Sequence, residues 1–97
     1  MRVITKGTLR DFWERHPQAA LPLQIWHKET KEADWKSPNE VKAQYGNASI
    51  VGHNRVVFNI KGNDFRLITA INYATGIVYI RFIGTHKEYD LIDATTI

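Results

Sequence analysis

Ninety-seven residues suit one domain with one core and leave no length for two. The composition, 43% apolar and 24% charged, is that of a folded chain, and no apolar run approaches the ~20 residues a membrane span needs. The absence of cysteine excludes disulfides and thiolate metal sites, and the N-terminus lacks a secretory leader's apolar segment, so a cytoplasmic protein is expected.

"MRVIT" opens as a short strand. In "GTLRDFWERHP", Leu9, Phe12, Trp13 and His16 recur at helical spacing, Thr8 and Asp11 form a capping-box pattern, and Pro17 ends the helix. "QAALPLQIWHKETKEAD" sets Ala19, Leu23, Trp26, Thr30 and Ala33 on one stripe, which predicts a second helix with Pro22 in or near its first turn. "SPNEVKAQYG" reads as a short third helix, with Ser37 as N-cap, Pro38 at the first position, Glu40 completing a box and Gly46 as the stop.

From about residue 50 the apolar period changes to two. "RVVFNI", "DFRLITAINY" and "GIVYIRFI" are strand-like runs separated by the turn formers "KGN" and "ATG", which predicts an antiparallel meander. Val56, Phe58, Ile60, Phe65, Leu67, Ile71, Val78, Ile80 and Phe82 supply its apolar face, and the helices of the first half are free to cover it. The predicted fold class is α+β, with two N-terminal helices and a short third on one face of a twisted, mainly antiparallel sheet across residues 1–97.

The basic residues are unevenly distributed. Residues 48–83 carry Arg55, Lys61, Arg66 and Arg81 against Asp64 alone, while the final fourteen hold one base and three acids. Two readings fit this basic middle: a polyanion-binding surface, or a solvated sheet face. The alternation adds that Asn59, Lys61, Arg66, Tyr79 and Arg81 have the parity opposite to the apolar set of their own strands. All are expected on the face away from the helices, with Lys61, Arg66 and Arg81 converging from three strands.

The last strand runs into "THKEYD", six consecutive residues that exchange protons or hydrogen bonds. Cleaving RNA without a metal needs a base for the attacking 2′-hydroxyl, an acid for the leaving oxygen, and cations for the charge growing on phosphorus. Arg66 and Arg81 suit the last role, because a guanidinium offers a fixed fork of donors; Lys61 is a further phosphate contact. His86 is the first candidate for proton transfer, and Tyr89 for base stacking or a share in that transfer. Arg55, Asn59 and Lys87 are candidate RNA contacts. The competing reading leaves the arginines solvated, Tyr89 covering the sheet end, and Glu88 and Asp90 capping a final turn or pairing with neighbouring cations. His53 is a further possible ligand contact beside Arg55, and His16 and His27 receive no role. His86 and Glu88 spell the H-x-E of zinc deaminases without the paired cysteines, and no other metal pattern is present, so neither a metal nor a cofactor is expected.

"FNIKGNDFRL" together with "THKEYD" resembles the HigB toxins of bacterial type II toxin–antitoxin systems, a branch of the RelE/ParE-like superfamily, and the resemblance runs over nearly the whole chain. It implies a small sheet backed by N-terminal helices whose open face binds messenger RNA in the ribosomal decoding site and cuts it without metal. Position by position it points to Arg66 and Arg81 as phosphate-facing, to Lys61 at a turn where relatives carry bases, and to His86 and Tyr89 in the motif that supplies proton transfer and stacking. Which residue is base and which is acid stays open. The resemblance further implies neutralisation by a HigA-type helix-turn-helix antitoxin, with operator DNA reached only through that partner. Two other functions remain in view: a non-catalytic RNA- or ribosome-binding module, and a ParE-like toxin directed at gyrase.

Overall fold

Alternation from residue 55 onward becomes three long strands in the computed structural model, which describes residues 1–97. The elements run β1 (Arg2–Ile4), α1 (Gly7–Arg15), a 3-10 turn (Pro17–Ala19), α2 (Ala20–Glu32), α3 (Pro38–Gln44), β2 (Ser49–Val51), β3 (Arg55–Ile60), β4 (Phe65–Asn72), β5 (Ile77–Thr85) and α4 (His86–Tyr89). The sheet has five strands in the order β1-β5-β4-β3-β2, antiparallel except where β1 lies parallel to β5. No helix is long and apolar enough to cross a membrane.

The helices form for the reasons their spacing suggested, but their caps differ. The expected Thr8–Asp11 box is absent: the chain turns at Thr5, whose φ is 73°, and enters the helix with Lys6 as N-cap, so Thr8 already lies inside. At α3 the box is displaced by one residue. The Glu40 carboxylate accepts from the Lys36 N–H at 3.1 Å and the Ser37 hydroxyl at 3.4 Å, so that hydroxyl does not cap the helix. Pro22 sits in the first turn of α2, where its missing N–H costs no intrahelical bond.

The main core lies between helices and sheet. Ala19, Leu23, Trp26 and Thr30 of the α2 stripe, with Leu9 and Phe12 of α1, are buried against Val56, Phe58, Ile60, Leu67, Ile71 and Val78. Trp26 meets Phe58 edge-on at 5.3 Å. Each such side chain removed from water contributes about 1.5–3 kcal/mol, which makes this layer the main source of stability.

Two features of the other face were not expected. The β4–β5 register pairs Ile68 with Phe82 but Thr69 with Ile80, leaving Arg81 as the extra residue of a bulge. Phe82 therefore leaves the helix-covered face to which simple alternation assigned it, and Ile83 packs against the main core instead. The face expected to be uncovered also carries the chain's own tail. Val57 and Ile68 bury against Ala94, with Phe82, Tyr89, Ile92 and Ile97 packed around them.

Candidate functional site

Register sets the layout of this second face in rows. Asn59 of β3, Arg66 of β4 and Gly84 of β5 stand side by side, Val57, Ile68 and Phe82 form the next row, and Arg55, Ala70 and Tyr79 the row beyond. The charged groups thus fall into two clusters separated by an apolar row and the tail above it.

The first cluster forms where β5 runs into α4. Thr85 caps α4 through a full capping box: its hydroxyl accepts from the Glu88 N–H at 3.2 Å, and the Glu88 carboxylate accepts from the Thr85 N–H at 2.8 Å. One turn of helix then turns Tyr89 back over β4, and its ring lies 5.8 Å from the Arg66 guanidinium carbon. Arg66 is only 9% exposed. Its Nη1 donates to the Asn63 carbonyl at 3.1 Å and, longer, to the Phe65 carbonyl at 3.5 Å, while Nη2 donates to Asn63 Oδ1 at 2.9 Å. Asn63 therefore occupies the end of the guanidinium and leaves Nε–H and one Nη2–H without a protein partner. Neither nitrogen is a buried orphan, since the only such side-chain atoms are Trp26 Nε1 and Thr30 Oγ1. This free side edge is a two-donor fork suited to an anionic oxygen pair.

Lys61 and His86 flank this group. Lys61 occupies the β3–β4 turn with φ 52°, a left-handed conformation that a lysine adopts only at a cost, and its ammonium pairs with Asp64 at 3.0 Å. The Asp64 carbonyl in turn accepts from the His86 N–H at 3.1 Å, which ties the turn to α4. His86 Nδ1 faces Asp90 Oδ2 at 3.2 Å, leaving Nε2 as the ring nitrogen without a partner. The cluster thus joins a fixed cation with a free fork, a second cation, an imidazole and a phenol. Of the residues that hold these groups, Asp90 pairs with a neighbouring basic group as the competing reading has it, whereas Asn63 is missed by the sequence reading. Asn63 carried no signal of its own, since only the turn geometry brings it three residues back onto Arg66.

Arg81 and Arg55 stand elsewhere. From Arg66 to the bulge is about three residues of β4, roughly 10 Å at the usual strand rise. There Arg55 Nη2 and Nε and Arg81 Nε all donate to the backbone oxygen of Ile97, at 2.8, 3.3 and 3.2 Å. His53 Nδ1 lies 3.0 Å from the Thr95 carbonyl, so it too holds the tail. The expected meeting of Lys61, Arg66 and Arg81 is therefore divided: the bulge and tail place Arg81 with Arg55, and Lys61 stands in the β3–β4 turn, where it borders Asn59 and the α2 residues Pro22 and Ile25. Lys87 is exposed on α4, and Asn59 is half-buried beside Arg66. No three His, Asp or Glu side chains gather closely enough to hold a metal ion.

Two expected results follow from how α4 is held. A Cβ at Gly84 would lie 2.5 Å from Phe82 Cζ and 3.2 Å from Glu88 Oε1, and the Phe82 ring is itself packed in the second core. Gly84→Ala is expected to cost about 1–3 kcal/mol, read as a lowered midpoint of thermal unfolding. The Thr85 N–H and hydroxyl hold the Glu88 carboxyl below the usual carboxylate range. Because its folded value is depressed, the cap stabilises fully above the ordinary carboxylate pKa and fades as pH falls through the lowered value. The Thr85 amide resonance is expected to report α4 fraying in acid, and Glu88→Ala to show the frayed position at neutral pH.

Residues 19–92 match the family model of HigB toxin, described as a RelE-like toxic component of a toxin–antitoxin system. The mRNA interferase toxin HigB of Escherichia coli K12 is 30% identical over 96 residues, covering 97% of this chain and 92% of its own length. The mRNA interferase HigB of Shigella flexneri has the same identity and coverage. The mRNA interferase HigB of Escherichia coli O6:H1 is 27% identical over 92 residues, covering 93% of this chain and 89% of its own length.

Proposed function

The chain belongs to the HigB family of RelE-like toxins, the toxic components of toxin–antitoxin systems, and from that membership we propose that it is an mRNA interferase acting as a single toxin domain over residues 1–97. It cuts messenger RNA during translation in the cytoplasm, with the ribosome presenting the message, and a HigA-type antitoxin holds it inactive. Family membership itself implies an antitoxin partner.

The observation that carries the chemistry is the free side edge of Arg66, held by Asn63 beneath the Tyr89 ring. Scission begins when the 2′-hydroxyl gives up its proton to a base and its oxygen attacks the adjacent phosphorus; it ends with a 2′,3′-cyclic phosphate as the P–O5′ bond breaks and the 5′-oxygen takes up a proton. The Arg66 fork neutralises the charge building on the phosphoryl oxygens, and Lys61 adds a second cation. His86 Nε2 transfers a proton at one of the two oxygens, with Asp90 steadying the ring through Nδ1. Tyr89 supplies a flat surface for a base. Arg55, Asn59, Arg81 and Lys87 extend the surface along the RNA backbone.

Induction without antitoxin, followed by mapping of transcript 5′ ends, tests this reading. New ends within translated regions, dependent on ongoing translation, are expected. Stalled translation with intact messages would replace it with a binding module, and loss of DNA supercoiling with intact messages would replace it with a gyrase-directed toxin.

A further inference from the structure

Where β2 ends, the edge of β3 is left open. β2 pairs with β3 only from Arg55 to Val57, so Phe58, Asn59 and Ile60 have no strand on their outer side. Two hollows lie along this stretch, against the helices. One, of about 290 Å³, has Pro22, Ile25 and Glu29 of α2 on one bank and Asn59 and Lys61 on the other. The second, of about 250 Å³, lies beside the chain that follows α3. Tyr45 and Asn59 border both, so the hollows meet there. The cleft starts next to the α4 cluster: Asn59 stands directly opposite Arg66 in the register, on strands about 4.8 Å apart.

The polar groups of the larger hollow say what fits it. Glu29 Oε1 accepts from the Tyr45 hydroxyl at 2.6 Å, and Oε2 has no protein partner. Burial first, and then the bond to Glu29, hold the Tyr45 phenol above its usual range, so the hydroxyl stays a donor and keeps the carboxylate turned toward it. A free carboxylate oxygen repels phosphate and accepts from N–H groups. Pro22 and the exposed Ile25 add an apolar wall for a flat ring. The phosphate-binding groups, Arg66 and Lys61, thus lie beside a hollow whose own chemistry suits a base. Single-stranded RNA is read in this way, by bases splayed from the backbone and hydrogen-bonded along their edges. A peptide strand would find only three residues of open edge.

We propose that the larger hollow is a base subsite: it takes the base of a nucleotide next to the scissile phosphate and selects one with an exocyclic amino group (adenine, cytosine or guanine) over uracil. Glu29 accepts from that amino group, and Tyr45 holds Glu29 in place. Uracil brings no amino group and turns carbonyl oxygens toward the carboxylate instead. That the nucleotide belongs to a message rests on the interferase reading above, while the choice of base rests on the hollow. Glu29 and Tyr45 are then specificity-determining residues that lie outside the α4 cluster.

The test reads base preference rather than total cleavage. In mapped transcript 5′ ends from the unaltered chain, uridine is expected to be depleted about tenfold at one fixed position beside the cut, relative to the composition of the messages. Glu29→Ala, at an exposed position, and Tyr45→Phe, which keeps the ring and loses the hydroxyl, are expected to relax that depletion. Separately, cytidine 5′-monophosphate is expected to shift the Asn59 side-chain amide and Tyr45 ring resonances of the full chain, and uridine 5′-monophosphate to leave them in place. Glu29→Ala is expected to abolish the difference. Equal responses to the two nucleotides, none included, or a uridine depletion that Glu29→Ala leaves intact, would overturn the proposal. A chain that cuts no message yet tells the two nucleotides apart keeps the subsite and loses the interferase reading. One that cuts without base preference loses the subsite and keeps that reading.

Discussion

Arg66→Ala is expected to reduce transcript cleavage by about 10²–10³-fold, the usual effect of deleting one preorganised donor to a developing charge. The orientation of the guanidinium is fixed twice, by the hydrogen bonds to Asn63 and by the Tyr89 ring. A phosphate arriving at Nε and Nη2 therefore meets donors that need not reorganise. Arg66→Lys keeps the charge but loses the fork and the stacking plane, so it is expected to recover little of the rate. Asn63→Ala leaves the cation but frees its direction, and a smaller loss is expected. Single-turnover cleavage on translating ribosomes measures the effect, and a thermal melt of each variant separates lost chemistry from lost folding, since Arg66 is nearly buried. Undiminished cleavage by a folded Arg66→Ala protein would remove the cation from the mechanism.

His86→Ala is expected to be comparable or larger, about 10²–10⁴-fold, because it removes a proton-transfer group. The geometry makes the case through the ring's two nitrogens: Nδ1 is engaged by Asp90 at 3.2 Å, and Nε2 has no partner. The side chain is exposed on α4, so its removal leaves the core intact and the melting midpoint is expected to move little. Added imidazole is expected to restore part of the cleavage lost in His86→Ala and none of that lost in Arg66→Ala. Equal indifference of both variants to imidazole would assign His86 a structural part only.

Much of the fold was legible because its signals are local. The α2 stripe of Ala19, Leu23, Trp26 and Thr30 is buried as its spacing implies, and each of the three long strands is bounded by the turn residues that mark it. Illegible features depend on contacts between distant parts of the chain. Whether Phe82 faces the helices is decided by a register shift against β4, which the alternation of β5 alone does not contain. Arg55 and Arg81 look like free strand cations in sequence, and only the folded tail reveals that they share the Ile97 oxygen. The caps were partly readable: Glu88 caps a final turn, as the competing reading of "THKEYD" has it, but the helix it opens is one turn long and shows no periodicity of its own. β2 is missing from the sequence reading for a similar reason, with three residues too few to display alternation.

The bulge at Arg81 has a consequence for how much chemistry one strand can carry. A regular strand offers each surface every second side chain, so adjacent positions never serve the same side. The surplus residue suspends that rule once, and Arg81 and Phe82, a charge and a ring in succession, both address the tail side while Ile80 and Ile83 still point inward. Removing Arg81 would restore strict alternation without inverting any neighbour, so the chain can shed this residue and keep its interior. A cation can thus be gained or lost here in evolution by a single-residue change in length, with no repacking beneath the helices.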